Sequence, residues 1–188
     1  MHRKKKTCSL WKKKNFVRGT GAKKPLICLV GEAPGKEEVL QKKPFVGRAG
    51  KILNTLLVKA KIVRKDLYIT NLIKCPIFKR KFPSSKEIEK WKSLLASEMH
   101  NLQPRIILSL GNHASKALFS LFALPFTSMK ALHGKTFRIS SLWGDLLLIP
   151  LYHPSAAGRN RKLFSTSQKD LKKIKKILHS LHSKVEHV

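Results

Sequence analysis

Residues 26–35 read LICLVGEAPG, an apolar run followed directly by a loop of glycine, proline and one glutamate. A continuous apolar run of this length is typical of a strand buried on both faces of a parallel sheet. A similar pair occurs later, where the apolar run 146–151 precedes Tyr152, His153 and Pro154. Because open α/β sheets bind ligands at the carboxyl ends of their strands, we expect Glu32 and His153 to face one pocket.

The rest of the chain fits the same architecture. Two further segments read as strands, 67–70 and 106–110, alternate with helical patterns, which predicts a three-layer α/β/α sandwich with a central four-stranded parallel sheet. We expect helices over 47–60, from a Ser84 or Ser85 cap to about Leu102, after Gly111, and over 167–181. Residues 123–144 are expected to be irregular, with a hairpin around His133 and Gly134.

The charge of the chain indicates a polyanionic partner. Forty lysines and arginines stand against ten acidic residues among 188, a net charge of +30. Nucleic acid is the leading partner by this measure, ahead of a membrane surface or a general compositional bias. Residues 1–24 form a basic arm with interspersed apolar anchors, expected to pack in part on a single domain of residues 25–188.

The composition also bears on the compartment. No segment reaches the about 20 apolar residues that span a bilayer, and no apolar segment follows the basic N-terminus as in a secretory signal. Three cysteines do not make a disulfide framework. We therefore expect an intracellular, cytoplasmic protein associated with the nucleoid, without a membrane partner and monomeric.

Three of the ten acidic residues, Glu32, Glu37 and Glu38, are predicted to share one loop. A carboxylate there can orient water or stabilise a cationic transition state in hydrolysis. The alternative is a helix N-terminus, where glutamate is common because it complements the positive end of the helix dipole.

Three other residues have a functional and a structural interpretation each. Phe45 is either a stacking platform for a base or a core residue. Asn71 ends a predicted strand and either reads a base edge or caps a turn. His153 either stabilises a developing oxyanion or is an ordinary loop residue.

The order of the motifs is more specific than any one of them. It runs GEAPG at 31–35, PFVGRAG at 44–50, YITNLIKC at 68–75, Leu110-Gly111, and YHPS at 152–155. This series resembles the uracil-DNA glycosylase superfamily over about residues 8–180, and most closely its family 4, the iron–sulfur type.

The resemblance implies roles for individual residues. Glu32 and Glu38 would position the hydrolytic water, and His153 would stabilise negative charge on uracil O2. Phe45 would stack on the flipped base and Asn71 would read its edge. The implied substrate-binding set is Gly31, Ala33, Phe45 and Asn71. The implied substrate is uracil-containing DNA, single- or double-stranded, from which the base must leave the stack.

The chain departs from family 4 at the cluster ligands. The resemblance implies four cysteine positions, of which Cys8 and Cys75 match two, while Trp11 and Trp91 stand at the others. Four thiolates hold a [4Fe–4S] cluster and indole cannot replace them. We therefore expect no metal and no cofactor, with the tryptophans filling the space. Cys28, inside a strand, is read as a buried structural cysteine.

Two loops depart from the family as well. The expected DNA contacts are Arg80, Ser155 and Arg159. Arg80 stands where the family often has asparagine. Small residues, Ala156 and Ala157, follow the His-Pro-Ser motif where the family usually has bulky ones, so base flipping is expected to rely on Arg159 or to be weak on duplex DNA.

Three functions remain open at this point. The favoured one is a uracil-DNA glycosylase of base-excision repair. The second is a non-catalytic nucleic-acid-binding relative, favoured by the missing cysteines and the small residues after His153. The third is a hydrolase on the same sheet that removes other deaminated bases, such as hypoxanthine.

Overall fold

The computed structural model of the chain describes residues 15–77 and 84–185, which hold one mixed sheet with helices on both faces. The strands are β1 Thr20–Gly21, β2 Ile27–Gly31, β3 Leu67–Asn71, β4 Ile106–Leu110, β5 Phe137–Ser141 and β6 Gly144–Leu151. The helices are α1 Lys36–Gln41, α2 Arg48–Lys59, α3 Ser85–Leu102, α4 Asn112–Leu121, α5 Met129–Leu132, α6 Pro154–Ala157 and α7 Arg161–Val185.

The sheet order is β1-β3-β2-β4-β6-β5, and its four central strands are parallel. Alternate residues of β2 point to two separate cores, as the two-residue period of a strand requires. Ile27 and Leu29 pack in a first core with α2 and α7. Cys28 and Val30 pack in a second core with α3 and α4. The predicted three-layer sandwich with four parallel strands is therefore confirmed.

The sheet has two edge strands that the apolar runs did not predict. Both pair antiparallel, β1 with β3 and β5 with β6. The hairpin expected around His133 and Gly134 is wrong: its turn lies at Leu142 and Trp143, between β5 and β6. β5 is half-exposed and alternates polar with apolar residues, so it lacks the continuous apolar run of a central strand.

Other predicted boundaries shift. The last helix begins at Arg161 rather than 167 and ends at Val185. Glu37 and Glu38 lie on α1 rather than in a loop with Glu32. Ser84 caps α3 in a capping box with Glu87, as one of the two predicted caps. In the described ranges no helix is both long and apolar enough to cross a bilayer.

A buried ion pair joins β3, the turn after it and α3. Lys74 is 2% exposed and its Nζ contacts the Glu98 carboxylate. The Tyr68 hydroxyl donates to Glu98 at 2.8 Å, and Lys74 donates to the Asn71 carbonyl at 2.8 Å. Burial lowers the pKa of the Lys74 ammonium, and the Glu98 carboxylate opposes that shift. The pair therefore anchors the backbone at the carboxyl end of β3.

Replacing Glu98 with alanine should strongly destabilise the fold. The Lys74 charge would remain buried without its partner, which costs about 3–5 kcal/mol. The free energy of unfolding from urea denaturation measures the loss. The double variant Lys74→Met, Glu98→Leu is the control and should lose less, because no unpaired charge remains. A Glu98→Ala protein as stable as the parent would contradict this reading of the pair.

Candidate active site

The carboxyl ends of β2 and β3 bring two predicted site residues together at a glycine. Gly31 pairs with Asn71 in the sheet register. A Cβ added at Gly31 would lie 2.4 Å from the Asn71 amide oxygen and 2.5 Å from the Phe45 ring. Only a residue without a side chain leaves room for both groups, which therefore meet over the end of β2.

The Phe45 loop is held in an unusual backbone conformation. Phe45 has φ +54°, in the left-handed region that non-glycine residues rarely adopt. Arg64 donates to the Pro44 carbonyl at 3.1 Å, to the Phe45 carbonyl at 3.2 Å and to the Asn54 amide oxygen at 2.8 Å. A Cβ at Gly50 would lie 1.9 Å from the Phe45 carbonyl oxygen. Sequence reasoning missed Arg64, because an arginine before a strand carries no local signal.

Glu38 contributes to the same loop. Its side chain is buried, and Oε1 accepts a hydrogen bond from the Gly47 N–H at 2.9 Å. Gly47 is the N-cap of α2, so the carboxylate ties α1 to the start of α2. Glu38 therefore has a structural role in this loop. Its role in positioning water stays a prediction.

The His153 ring makes two contacts with Ser155 at the start of α6. Its Nδ1 accepts from the Ser155 N–H at 3.2 Å and lies 2.8 Å from the Ser155 hydroxyl. A ring nitrogen that accepts carries no proton, so Nε2 bears the hydrogen of the neutral ring. Burial lowers the pKa of His153; Glu32 opposes this shift and Arg159 adds to it. The ring centroid lies 6.1 Å from that of Phe45.

Glu32 contacts a histidine that sequence reasoning missed. The Nδ1 of His113, in the first turn of α4, lies 2.8 Å from Oε2 of Glu32. Both side chains are partly exposed. Its position in the chain could have indicated the site, because His113 follows the end of β4 closely, as His153 follows the end of β6.

The side-chain amide of Asn71 is buried at the end of β3. The residue is 3% exposed, and its side chain makes no hydrogen bond with any residue in 15–77 or 84–185. One donor and one acceptor group are therefore available for a ligand, in a place where water has little access.

The remaining predicted site residues divide into three groups. Ser155 and Arg159 lie on and just after α6, next to His153, and Arg159 is exposed. Ala33 is half-buried against the second core. Arg80, Cys8 and Trp11 lie outside the described residues.

Comparison with known proteins agrees with this geometry. The model of the family described as "Uracil DNA glycosylase superfamily" matches residues 18–182. The chain belongs to the uracil-DNA glycosylase superfamily. It is 38% identical over 168 residues to a type-4 uracil-DNA glycosylase of Archaeoglobus fulgidus, covering 89% of this chain and 84% of that protein.

Two further type-4 uracil-DNA glycosylases are similar. The protein of Saccharolobus solfataricus is 36% identical over 180 residues, which is 95% of this chain and 83% of the relative. The protein of Sulfurisphaera tokodaii is 34% identical over 174 residues, which is 92% of this chain and 79% of the relative. The likeness therefore extends over nearly the whole domain.

The residues of this superfamily member do not fit an iron–sulfur cluster. The whole chain has three cysteines, fewer than the four thiolates a [4Fe–4S] cluster takes. Cys75 is fully buried in the second core together with Trp91, whose ring packs on Phe16 with centroids 6.3 Å apart. Burial raises the pKa of the Cys28 thiol far above its usual range, which disfavours a thiolate ligand there.

The protonation state of His153 can be measured directly. Its pKa should lie below the 6.5 of a free histidine, because burial disfavours the charged ring. Arg159→Ala should raise the pKa, since a repelling charge is removed. NMR titration of the ring carbons measures both values. Lys130→Ala, an exposed charge on α5, is the control. A His153 that titrates at or above 6.5 would contradict the neutral donor.

Proposed function

We propose that this chain is a uracil-DNA glycosylase that hydrolyses the bond between uracil and deoxyribose and leaves an abasic site in DNA. One observation carries the proposal: the Phe45 ring and the Asn71 amide meet at Gly31, where an added Cβ would touch both. A flat face next to a donor and an acceptor is the arrangement that recognises an extruded base.

The pocket reads the base by stacking and hydrogen bonding. The Phe45 ring covers the face of uracil, and the Asn71 amide pairs with a donor and an acceptor on its edge. Asn71 is open to this task because its own side chain has no partner among the described residues. Lys74, which is paired with Glu98, donates a hydrogen bond to the Asn71 carbonyl and so fixes the backbone that carries the amide.

Hydrolysis is assigned to Glu32, which follows β2, and His153, which follows β6. As the C1′–N1 bond breaks, both bonding electrons leave with uracil, and negative charge develops on O2. His153 donates Nε2–H to that oxygen, which needs no prior protonation of the ring. Water then bonds to C1′ and passes its proton to the Glu32 carboxylate, which also stabilises the cationic sugar.

The DNA interface lies around α6. Ala157 is buried, and a Cβ at Gly158 would lie 2.9 Å from Ile52, so this turn packs inward rather than projecting a wedge. Arg159 is the exposed cation next to His153. Without a wedge, the enzyme is proposed to act better on single-stranded than on duplex DNA, with strongly salt-dependent binding. It is also proposed to act as a monomer.

The reaction is proposed to proceed without an iron–sulfur cluster. The supporting observations are the three cysteines and the packing of Trp91 against Phe16 in the same core as Cys75. Indole and phenyl rings give this core apolar surface, which stabilises it directly.

The activity is tested with uracil-containing single- and double-stranded oligonucleotides, followed by alkaline cleavage of abasic sites. The parent should cleave. Asn71→Ala and His153→Ala should each lower the single-turnover rate by about a hundredfold, as loss of a transition-state hydrogen bond does. Ser97→Ala, on an exposed side chain of α3, is the matched control and should retain the parent rate.

Two outcomes would contradict the proposal. One is parent rates in both site variants. The other is salt-sensitive DNA binding without any abasic product, which would instead support the non-catalytic relative. Release of hypoxanthine but not uracil would move the assignment to another deaminated base.

The cluster proposal has its own measurement. Aerobically and anaerobically purified protein should contain no stoichiometric iron and show no absorption band near about 400 nm, where such clusters absorb. Cys75→Ala is the control and should leave the spectrum unchanged. Brown protein whose colour and iron are lost in Cys75→Ala would overturn the proposal.

A further inference from the structure

The turn between β4 and α4 lies against both reacting groups of the site. Gly111 has φ +89°, and its N–H donates to the Leu151 carbonyl at 2.8 Å. A Cβ at Gly111 would lie 2.9 Å from the Cβ of His153. Two residues later, Nδ1 of His113 lies 2.8 Å from Oε2 of Glu32. One turn therefore spaces the histidine and the carboxylate relative to each other.

The His113–Glu32 contact contributes little to the stability of the fold. The two side chains are 44% and 34% exposed, and ion pairs that exposed contribute little to folding. Its consequence is geometric. The Glu32 backbone is already held, because its carbonyl accepts from the Ile73 N–H at 2.9 Å. The rotation of the side chain is the remaining freedom, and His113 restricts it.

We propose that His113 is a positioning residue for Glu32, an inference that rests on the glycosylase function proposed above. Nδ1–H of His113 donates a hydrogen bond to Oε2 of Glu32. This bond fixes the rotation of the carboxylate, so that Oε1 faces the attacking water. Oε1 accepts no hydrogen bond from the described residues, so it is open to that water.

The proton balance leaves His113 unchanged during the reaction. The water oxygen bonds to C1′ and its proton goes to Oε1 of Glu32, while the electrons of the C1′–N1 bond stay on uracil. His113 keeps its Nδ1 proton throughout. It therefore acts on the reaction through the orientation of the Glu32 carboxylate. A small misplacement of such a group can slow an enzyme strongly.

The experiment compares four variants of the full chain under single-turnover conditions, with enzyme in excess over a uracil-containing single-stranded oligonucleotide. They are His113→Ala, His113→Asn, Glu32→Ala and the double variant His113→Ala, Glu32→Ala. Asn112→Ala, an exposed neighbour in the same helical turn, is the matched control. DNA affinity is measured separately by fluorescence anisotropy, and folding by thermal melting.

His113→Ala should slow uracil release by about ten- to hundredfold, the loss that a misplaced catalytic group causes, with DNA affinity and melting unchanged. His113→Asn should recover most of the rate, because its amide can donate near the place of Nδ1. The double variant should be no slower than Glu32→Ala, since no carboxylate remains to be oriented.

The positioning role is overturned if His113→Ala keeps the parent rate, if asparagine is as slow as alanine, or if the loss persists undiminished in the Glu32→Ala background. A parent protein that releases no uracil refutes the proposed function itself. A fully active parent with an indifferent His113 refutes only this inference.

Discussion

A methyl group at position 31 would lie 2.4 Å from the amide oxygen of Asn71 and 2.5 Å from the ring of Phe45. This crowding is the constraint on which the pocket depends. The parallel register pairs Gly31 with Asn71 and thereby sets where the amide sits. The missing side chain then lets an aromatic ring from a distant loop approach the same point. A packed interior would not readily give way to a larger residue there.

Charged groups hold the backbone of both residues that meet at Gly31, Asn71 and Phe45. The buried Lys74–Glu98 pair holds the backbone under Asn71, and Arg64 holds the carbonyl of Phe45. In a protein with a net charge of +30, these two cations make hydrogen bonds within the fold. The second core, where Trp91 packs on Phe16, adds apolar packing beside β3.

The sequence predicted the parts of the fold that have a strong local pattern. The four central strands are mostly apolar, so their order of occurrence and the polar residues at their ends, Asn71 and His153 among them, could be predicted. The edge strand β5 is half-exposed and alternates polar with apolar residues, so its pattern was too weak to separate from a loop. The His113–Glu32 contact joins residues 81 positions apart, and no spacing in the chain encodes such a pair.

The left-handed conformation of Phe45 has a consequence for recognition. At φ +54° the backbone of Phe45 is strained. The hydrogen bond from Arg64 and the close packing of Gly50 against the Phe45 carbonyl hold it in this conformation. The free-energy cost of the strain therefore belongs to folding and not to binding. For the stacking on uracil proposed for Phe45, the ring is therefore already in position, which keeps the cost of loop ordering small. Unstacking of the base remains as a cost that binding has to offset.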